Sequence, residues 1–407
     1  MPRFESRWWE PDLSLGEQHR AARGFRYEAY VPDPVAGFTL ALPLDLAQEL
    51  EATVQAVAQL QDLVVVSGLE ALSRQLLRAE SIGSSRIEGL QLSQRRLARS
   101  ELAPAQGDAL ARSVMGNIAA MEAAIQLGSR TVRIEVADLL RIHRQLLEGT
   151  EDREVAGRLR TTQNWIGGSS HSPAHAEFIP PPEGEVEPLL ADLCDFLARE
   201  DLPAIVQAAV AHAQFETIHP FADGNGRVGR ALIHTVLRRR GLTPHFVPPV
   251  SLVLATNATR YVEGLTAFRA GDALAWCRTF LRTLHAATEH AKRLNADLLA
   301  LQGRWRKALG HPRSDSAAER LIQLLPAHPV LNAEAAQALV GASAVAVRGA
   351  LNDLSAAGVL KQVSIGRRNR VWEATALLHL VDDLEWTLAT PTVSGLDRRP
   401  APPRPQG

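Results

Sequence analysis

Cysteine is nearly absent from this 407-residue chain, which has only Cys194 and Cys277. Two thiols cannot build a disulfide framework, and their scarcity suits a reducing compartment, so a cytoplasmic protein is expected. No apolar run reaches membrane-spanning length, and no membrane association is expected. The opening residues Met1 to Trp9 carry early charge and no apolar leader core, so no signal peptide is expected. An excess of either charge is also lacking. Lys and Arg number 44 against 45 Asp and Glu, giving a net charge of −1 and a pI near 6.9. That balance gives no whole-chain pull toward nucleic acid or a lipid surface. There is no internal repeat, and no Gly-x-x-x-x-Gly-Lys-(Ser/Thr) run, which excludes a Walker phosphate loop. The length leaves room for two or three domains with a sizeable core.

What is present concentrates in His219-Pro220-Phe221-Ala222-Asp223-Gly224-Asn225-Gly226-Arg227-Val228-Gly229-Arg230. Residues Asp201 to Ile218 have helical periodicity, and Pro220 disfavours α geometry at His219, so the helix should end there and present the imidazole. A neutral imidazole can take a proton from an attacking hydroxyl. Gly224-Asn225-Gly226 can turn successive N–H groups inward as an anion nest, placed where helical periodicity resumes at about Arg227. Arg227 and Arg230 share a helix face and suit phosphate oxygens. Asp223 offers the single carboxylate that Mg²⁺ usually takes from protein, or else an N-cap. Gly224-x-Gly226-x-x-Gly229 also fits a dinucleotide fingerprint. That reading fails, because a helix precedes it and Pro248 and Pro249 stand where an acid is needed.

The same stretch resembles the Fic family signature, His-x-Phe-x-(Asp/Glu)-Gly-Asn-Gly-Arg-x-x-Arg, at every fixed position. The resemblance implies a mostly α fold, a Fic-type helical core with a small β-hairpin flap. It implies a protein adenylyltransferase that moves AMP from ATP to a Ser, Thr or Tyr hydroxyl of a target protein and of itself. His219 would then be the base and Asp223 the Mg²⁺ ligand. Gly224, Asn225, Gly226, Arg227, Val228, Gly229 and Arg230 would form the nucleotide site. Gly157-Arg158-Leu159-Arg160 and Gln163-Asn164-Trp165-Ile166-Gly167 resemble the approach to the family's flap, with Phe178-Ile179-Pro180-Pro181-Pro182 its returning side. The target would dock on this flap around Gly167 to Pro181, whose hairpin edge can pair with an extended segment. His171 and His175 lie within it, but without a third ligand no zinc is expected. Tyr261 stands where many relatives carry a Tyr-Tyr pair beside the base. Here Val262 follows it, so the alternatives are stacking on adenine and packing within a helix.

Ser84-Ser85-Arg86-Ile87-Glu88-Gly89 matches the Fic inhibitory pattern (Ser/Thr)-x-x-x-Glu-(Gly/Asn). The resemblance implies autoinhibition, with Ser84, Glu88 and Gly89 forming the element and Glu88 pairing with Arg230. Ser85-x-x-Glu88 is also a capping-box pattern, although a helix-terminating Gly89 favours the inhibitory reading. The alternative functions are removal of AMP from a modified protein using Glu88, and a DNA-binding regulator with the Fic core as sensor. A homo-oligomer is compatible with either.

Residues 1–100 are expected to hold an N-terminal arm and helices with the inhibitory motif, and 101–309 the catalytic core. The first forty or so residues read as an extended arm, with helices at Leu44 to Ala79, Asp108 to Leu127, Val136 to Leu147 and Thr256 to about Leu309. Residues 315–385 resemble a winged helix-turn-helix. Its helices are expected at Ala317 to Leu325, Asn332 to Leu339 and Ser343 to Ala357, and its hairpin at Val359 to Val363 and Arg370 to Glu373. Lys361, Arg367, Arg368 and Arg370 on the wing suit phosphate, but Arg348 alone is thin for major-groove readout. Residues 386–407 read as a disordered tail.

Overall fold

Ala204–Ile218 and Asn225–Arg239 form the two helices around which the rest is packed. Almost every residue of the first, and the second from Asn225 to Leu237, is buried. A helix apolar on all sides must lie inside the molecule, and the run Ala-Ile-Val-Gln-Ala-Ala-Val-Ala meets that condition. The structure, a computed structural model, describes residues 2–10, 24–63, 69–102, 108–130, 133–168, 172–365 and 369–389.

In chain order, an antiparallel hairpin comes first, β1 (Arg3–Trp9) and β2 (Phe25–Val31), paired from Arg3↔Val31 to Trp9↔Phe25. Helices α1 (Leu44–Asp62), α2 (Leu69–Ile87), α3 (Gln94–Leu102), α4 (Ala109–Arg130) and α5 (Val136–Leu147) follow. Then come α6 (Glu183–Ala198), the two central helices α7 (Ala204–Ile218) and α8 (Asn225–Arg239), and α9 (Val250–Thr256). The catalytic-core expectation closes with α10 (Ala258–Arg269) and the long α11 (Ala273–Ala308). One apolar cluster joins α4 to α8, α10 and the first half of α11. The second half of α11, through Leu294, Leu298, Leu301 and Trp305, enters another cluster with the C-terminal part. That part contains α12 (Ala317–Leu324), β3 (Val330–Leu331), α13 (Ala333–Val340), α14 (Ala344–Ala356), β4 (Lys361–Ile365), β5 (Asn369–Glu373) and α15 (Thr375–Ala389). Its antiparallel sheet has the order β3-β5-β4.

The mostly helical expectation holds, with corrections to its parts. The extended arm is in fact the β1–β2 hairpin. Its alternation is masked in sequence because aromatic residues lie on both faces, with Phe4 and Trp8 outward. Of the stretch expected to be helical from Leu44 to Ala79, the described residues form α1 and the start of α2, and α2 continues beyond it to Ile87. In the flap, the described residues Ile166 and Phe178 pair in an antiparallel bridge. Residues 386–389, expected in the tail, close α15. His171, Arg367, Arg368 and residues 390–407 lie outside the described residues.

Candidate active site

The end of α7 is set by its sequence. Pro220 blocks continuation, and His219 takes the left-handed conformation, with φ 50° and ψ 60°, while its N–H still reaches the Phe215 carbonyl at 2.9 Å. A non-glycine residue there is uncommon and strained, which fits a position held by its surroundings. The His219 Nδ1 atom is buried and meets no hydrogen-bond partner among the described residues. Burial, with the charges of Arg160 and Arg269 nearby, holds the imidazole down to about 4. At neutral pH the ring is therefore uncharged and able to accept a proton.

The loop beyond His219 is fastened from three directions. Asn225 folds back on it: its Oδ1 accepts from the Phe221 N–H and its Nδ2 donates to the Phe221 carbonyl, both at 2.8 Å. Asn164 Nδ2 donates to the Phe221 carbonyl at 3.0 Å and to the His219 carbonyl at 3.4 Å. His143, on the buried face of α5, stacks on the Phe221 ring at 3.8 Å and 5°. Its Nδ1 accepts from the Gly157 N–H at 3.0 Å, so its Nε2–H donates to the Asp223 carbonyl, also at 3.0 Å. Burial keeps His143 down at about 4, which preserves that neutral tautomer at neutral pH.

Gly224, with φ 80°, is the N-cap of α8, and no side chain caps the helix. The Asp223 carboxylate instead accepts from Arg227 Nη2 at 2.8 Å and stays 51% exposed, open to a cation from solvent. Among the described residues no three His, Cys, Asp or Glu side chains converge. One open carboxylate suits Mg²⁺ completing its shell with water and phosphate oxygens better than a soft metal. Arg227 Nη1 also donates to Ser113 Oγ at 3.0 Å. Val228 points into the core, and Gly229 leaves the space that Glu216 Oε1 fills. Both shape the site from behind.

Arg230 is 1% exposed and faces the end of α2. Its Nε donates to Ser84 Oγ at 2.9 Å, and its Nη2 to the Ser84 carbonyl at 2.8 Å and Glu88 Oε1 at 2.7 Å. Glu88 lies just past the end of α2, where Gly89 (φ 78°) turns the chain and the Leu90 N–H bonds the Ser85 carbonyl. Ser85 therefore sits in the last turn of a helix, which rules out the capping-box alternative. Burial works to raise the Glu88 carboxyl, but the charge and hydrogen bond of Arg230 outweigh it and hold it below the usual range. A Cβ on Gly226 would stand 2.2 Å from Glu88 Oε1. The carboxylate thus rests against the N-terminus of α8, where backbone N–H groups and the helix dipole favour an anion.

Tyr261 is 5% exposed and packs near Trp276, its hydroxyl 2.9 Å from His212 Nε2. In this conformation it is a helix-packing residue. The approach to the flap lies against the motif through Arg160 and Asn164, and Arg269 stands over the Phe178 ring at 3.8 Å. His143, Glu216 and Arg269 stand out only in the fold. Each is a polar residue on an otherwise apolar helix face, a signal that marks burial without naming the partner.

Residues 133–237 match the Fic/DOC family model, and residues 47–126 match that of the Fic/DOC family N-terminal region. The protein adenylyltransferase fic-1 of Caenorhabditis briggsae is 37% identical over 133 residues, 32% of this chain and 23% of that protein. The protein adenylyltransferase Fic of Culex quinquefasciatus is 34% identical over 159 residues, 38% of this chain and 28% of the relative. The matches thus span about a quarter of these relatives' length. A Fic family protein from Desulfovibrio desulfuricans G20 shares the fold with a TM-score of 0.53 and 22% identity, over 82% of this chain and 97% of the other. The motif, its geometry and both models agree in what these two regions are similar to: residues 133–237 to the Fic/DOC family and residues 47–126 to its N-terminal region.

Proposed function

We propose that this protein transfers AMP from ATP to a Ser, Thr or Tyr hydroxyl of a target protein, and to itself, under restraint by Glu88. The observation that carries the reading is the Glu88 carboxylate, an anion from the chain itself seated on Arg230 and the α8 N-terminus beside a neutral imidazole. A site that holds a carboxylate there is built to hold phosphate oxygens once the carboxylate leaves.

In the transfer, His219 takes the proton of the attacking hydroxyl. The new bond joins that oxygen to the α-phosphorus, and the bond to the leaving pyrophosphate breaks. Arg227 and Arg230 offset the charge on the phosphate oxygens, and the fixed α8 N–H groups need no reorganisation. Mg²⁺, when bound at Asp223, would neutralise phosphate charge. On this reading a target segment lies along the flap, whose two sides meet at the Ile166–Phe178 bridge. Around the core, α12 to α14 and the β3-β5-β4 sheet support the winged-helix reading of the C-terminal part. Arg348, Lys361 and Arg370 are exposed on it, available to a partner.

The donor test uses the Glu88→Gly protein with Mg²⁺ and ATP labelled at either the α- or the γ-phosphorus. Label retained on protein from the α position only is the expected result. Retention of γ label would mean phosphoryl transfer and would overturn the assignment.

A further inference from the structure

The transfer chemistry leaves Arg160 without a role, yet the structure commits its whole side chain. It is 5% exposed and makes no ion pair among the described residues. Its donors go to backbone carbonyls: Nε to His219 at 2.9 Å, Nη1 to Thr162 at 3.1 Å, and Nη2 to Pro181 at 2.5 Å and Ile218 at 3.5 Å. Its own N–H donates to the Pro220 carbonyl at 2.9 Å. Burying a guanidinium among carbonyls costs solvation, and burial pulls Arg160 down to about 10. The carbonyls of Ile218 and His219 are among those that the end of α7 leaves unpaired, at the negative end of its dipole. Thr162 and Pro181 lie on the two arms of the flap.

We propose that Arg160 is a positioning residue for His219, locking the end of α7 and both arms of the flap into one unit so that the base and a segment seated on the flap keep a fixed relation. This rests on the transfer reading above. Electrostatics reinforces the geometry. The charged groups facing His219 are Arg160 on the flap approach, Arg269 at the end of α10, and Glu88 beyond α2. Of these, Arg160 is the largest influence after burial in keeping the imidazole uncharged.

The test uses the full chain carrying Glu88→Gly, with Arg160→Met, which removes the charge, and Arg160→Lys, which keeps the charge but not the planar fork. Two quantities are read: the His219 titration by NMR without nucleotide or metal, assigned by its loss in His219→Ala, and self-labelling from α-labelled ATP across pH. Arg160→Met should move the His219 midpoint up toward the ordinary value of about 6.5 and cut labelling at pH 6 by about tenfold or more. Arg160→Lys should leave the midpoint low and still lose about tenfold in labelling, because an ammonium cannot span the same carbonyls. An unmoved midpoint in Arg160→Met, or full-rate labelling in Arg160→Lys, would overturn the proposal. If Arg160→Met does not fold, the Arg160→Lys rate decides. Absence of label in the parent would count against the transfer reading, while the His219 titration would still decide on Arg160.

Discussion

A missing methyl group at Gly226 decides what can sit on the N-terminus of α8. Any Cβ there would collide with Glu88 Oε1 and lie 2.7 Å from Arg230 Nη1. Gly226→Ala should therefore displace Glu88 and also obstruct the phosphate seat. It should fail to label and bind ATP at least tenfold more weakly than Glu88→Gly by calorimetry; labelling equal to Glu88→Gly would show that the seat lies elsewhere. His219→Ala should abolish labelling while keeping the thermal midpoint within a few degrees, since the lost ring nitrogen Nδ1 has no partner to leave unsatisfied. At this scale the sequence was legible where chemistry and spacing coincide, from His219 to Arg230 and at Glu88. It was not legible at His143 or Arg160. A histidine within Leu139-x-x-Ile142-His143-x-x-Leu146 reads as core, and only the fold brings it to the Asp223 carbonyl.

Among the elements, α2 matters most, because it delivers Glu88. A fully buried carboxylate, Glu80, ties it down: Glu80 accepts from His234 Nε2 of α8 at 2.8 Å, and from the Ser251 N–H and Oγ at the start of α9 at 2.7 and 2.5 Å. Gly83 lets α2 approach so closely that a Cβ would stand 2.4 Å from Leu252 N. From the other side, Arg78 Nη1 reaches the Ala327 carbonyl at 2.8 Å, so the C-terminal part also braces this helix. Glu80→Ala would strand buried donors and should cost about 3 kcal/mol or more in stability. It should also raise basal self-labelling toward the Glu88→Gly level. Unchanged labelling in a folded variant would mean that Glu88 is held independently of its helix. The elements easiest to read were strongly periodic ones, such as Val136–Leu147, which matches its expected bounds. Those missed had reasons. α3 is mostly charged and polar around Leu97 and Ala98, and α6 carries Pro188 inside it.

Across the whole molecule, buried histidines set the response to acid. Burial holds His143, His219, His290 and His328 at about 4 and His212 at about 3. Unfolded, each titrates near about 6.5, so between that value and 4 the unfolded chain binds more protons. Stability is then full above pH 6.5 and falls as pH drops toward 4. Glu216, pushed by burial up to about 7, acts oppositely, because its folded form prefers the proton, but one carboxyl does not offset five imidazoles. Melting at pH 7.5, 6 and 5 should show a steadily lower midpoint; a midpoint unchanged or rising toward pH 5 would mean these rings are solvated. Glu88 holds Arg230 at 2.7 Å, and under the proposed function that one contact restrains AMP transfer. The direct measurement incubates wild type, Glu88→Gly and Glu88→Gly/His219→Ala with Mg²⁺ and α-labelled ATP, then counts label on protein. Strong label in Glu88→Gly alone, at least tenfold above the other two, is the predicted result. Equal label in wild type and Glu88→Gly would contradict the restraint, and label surviving His219→Ala would contradict the base.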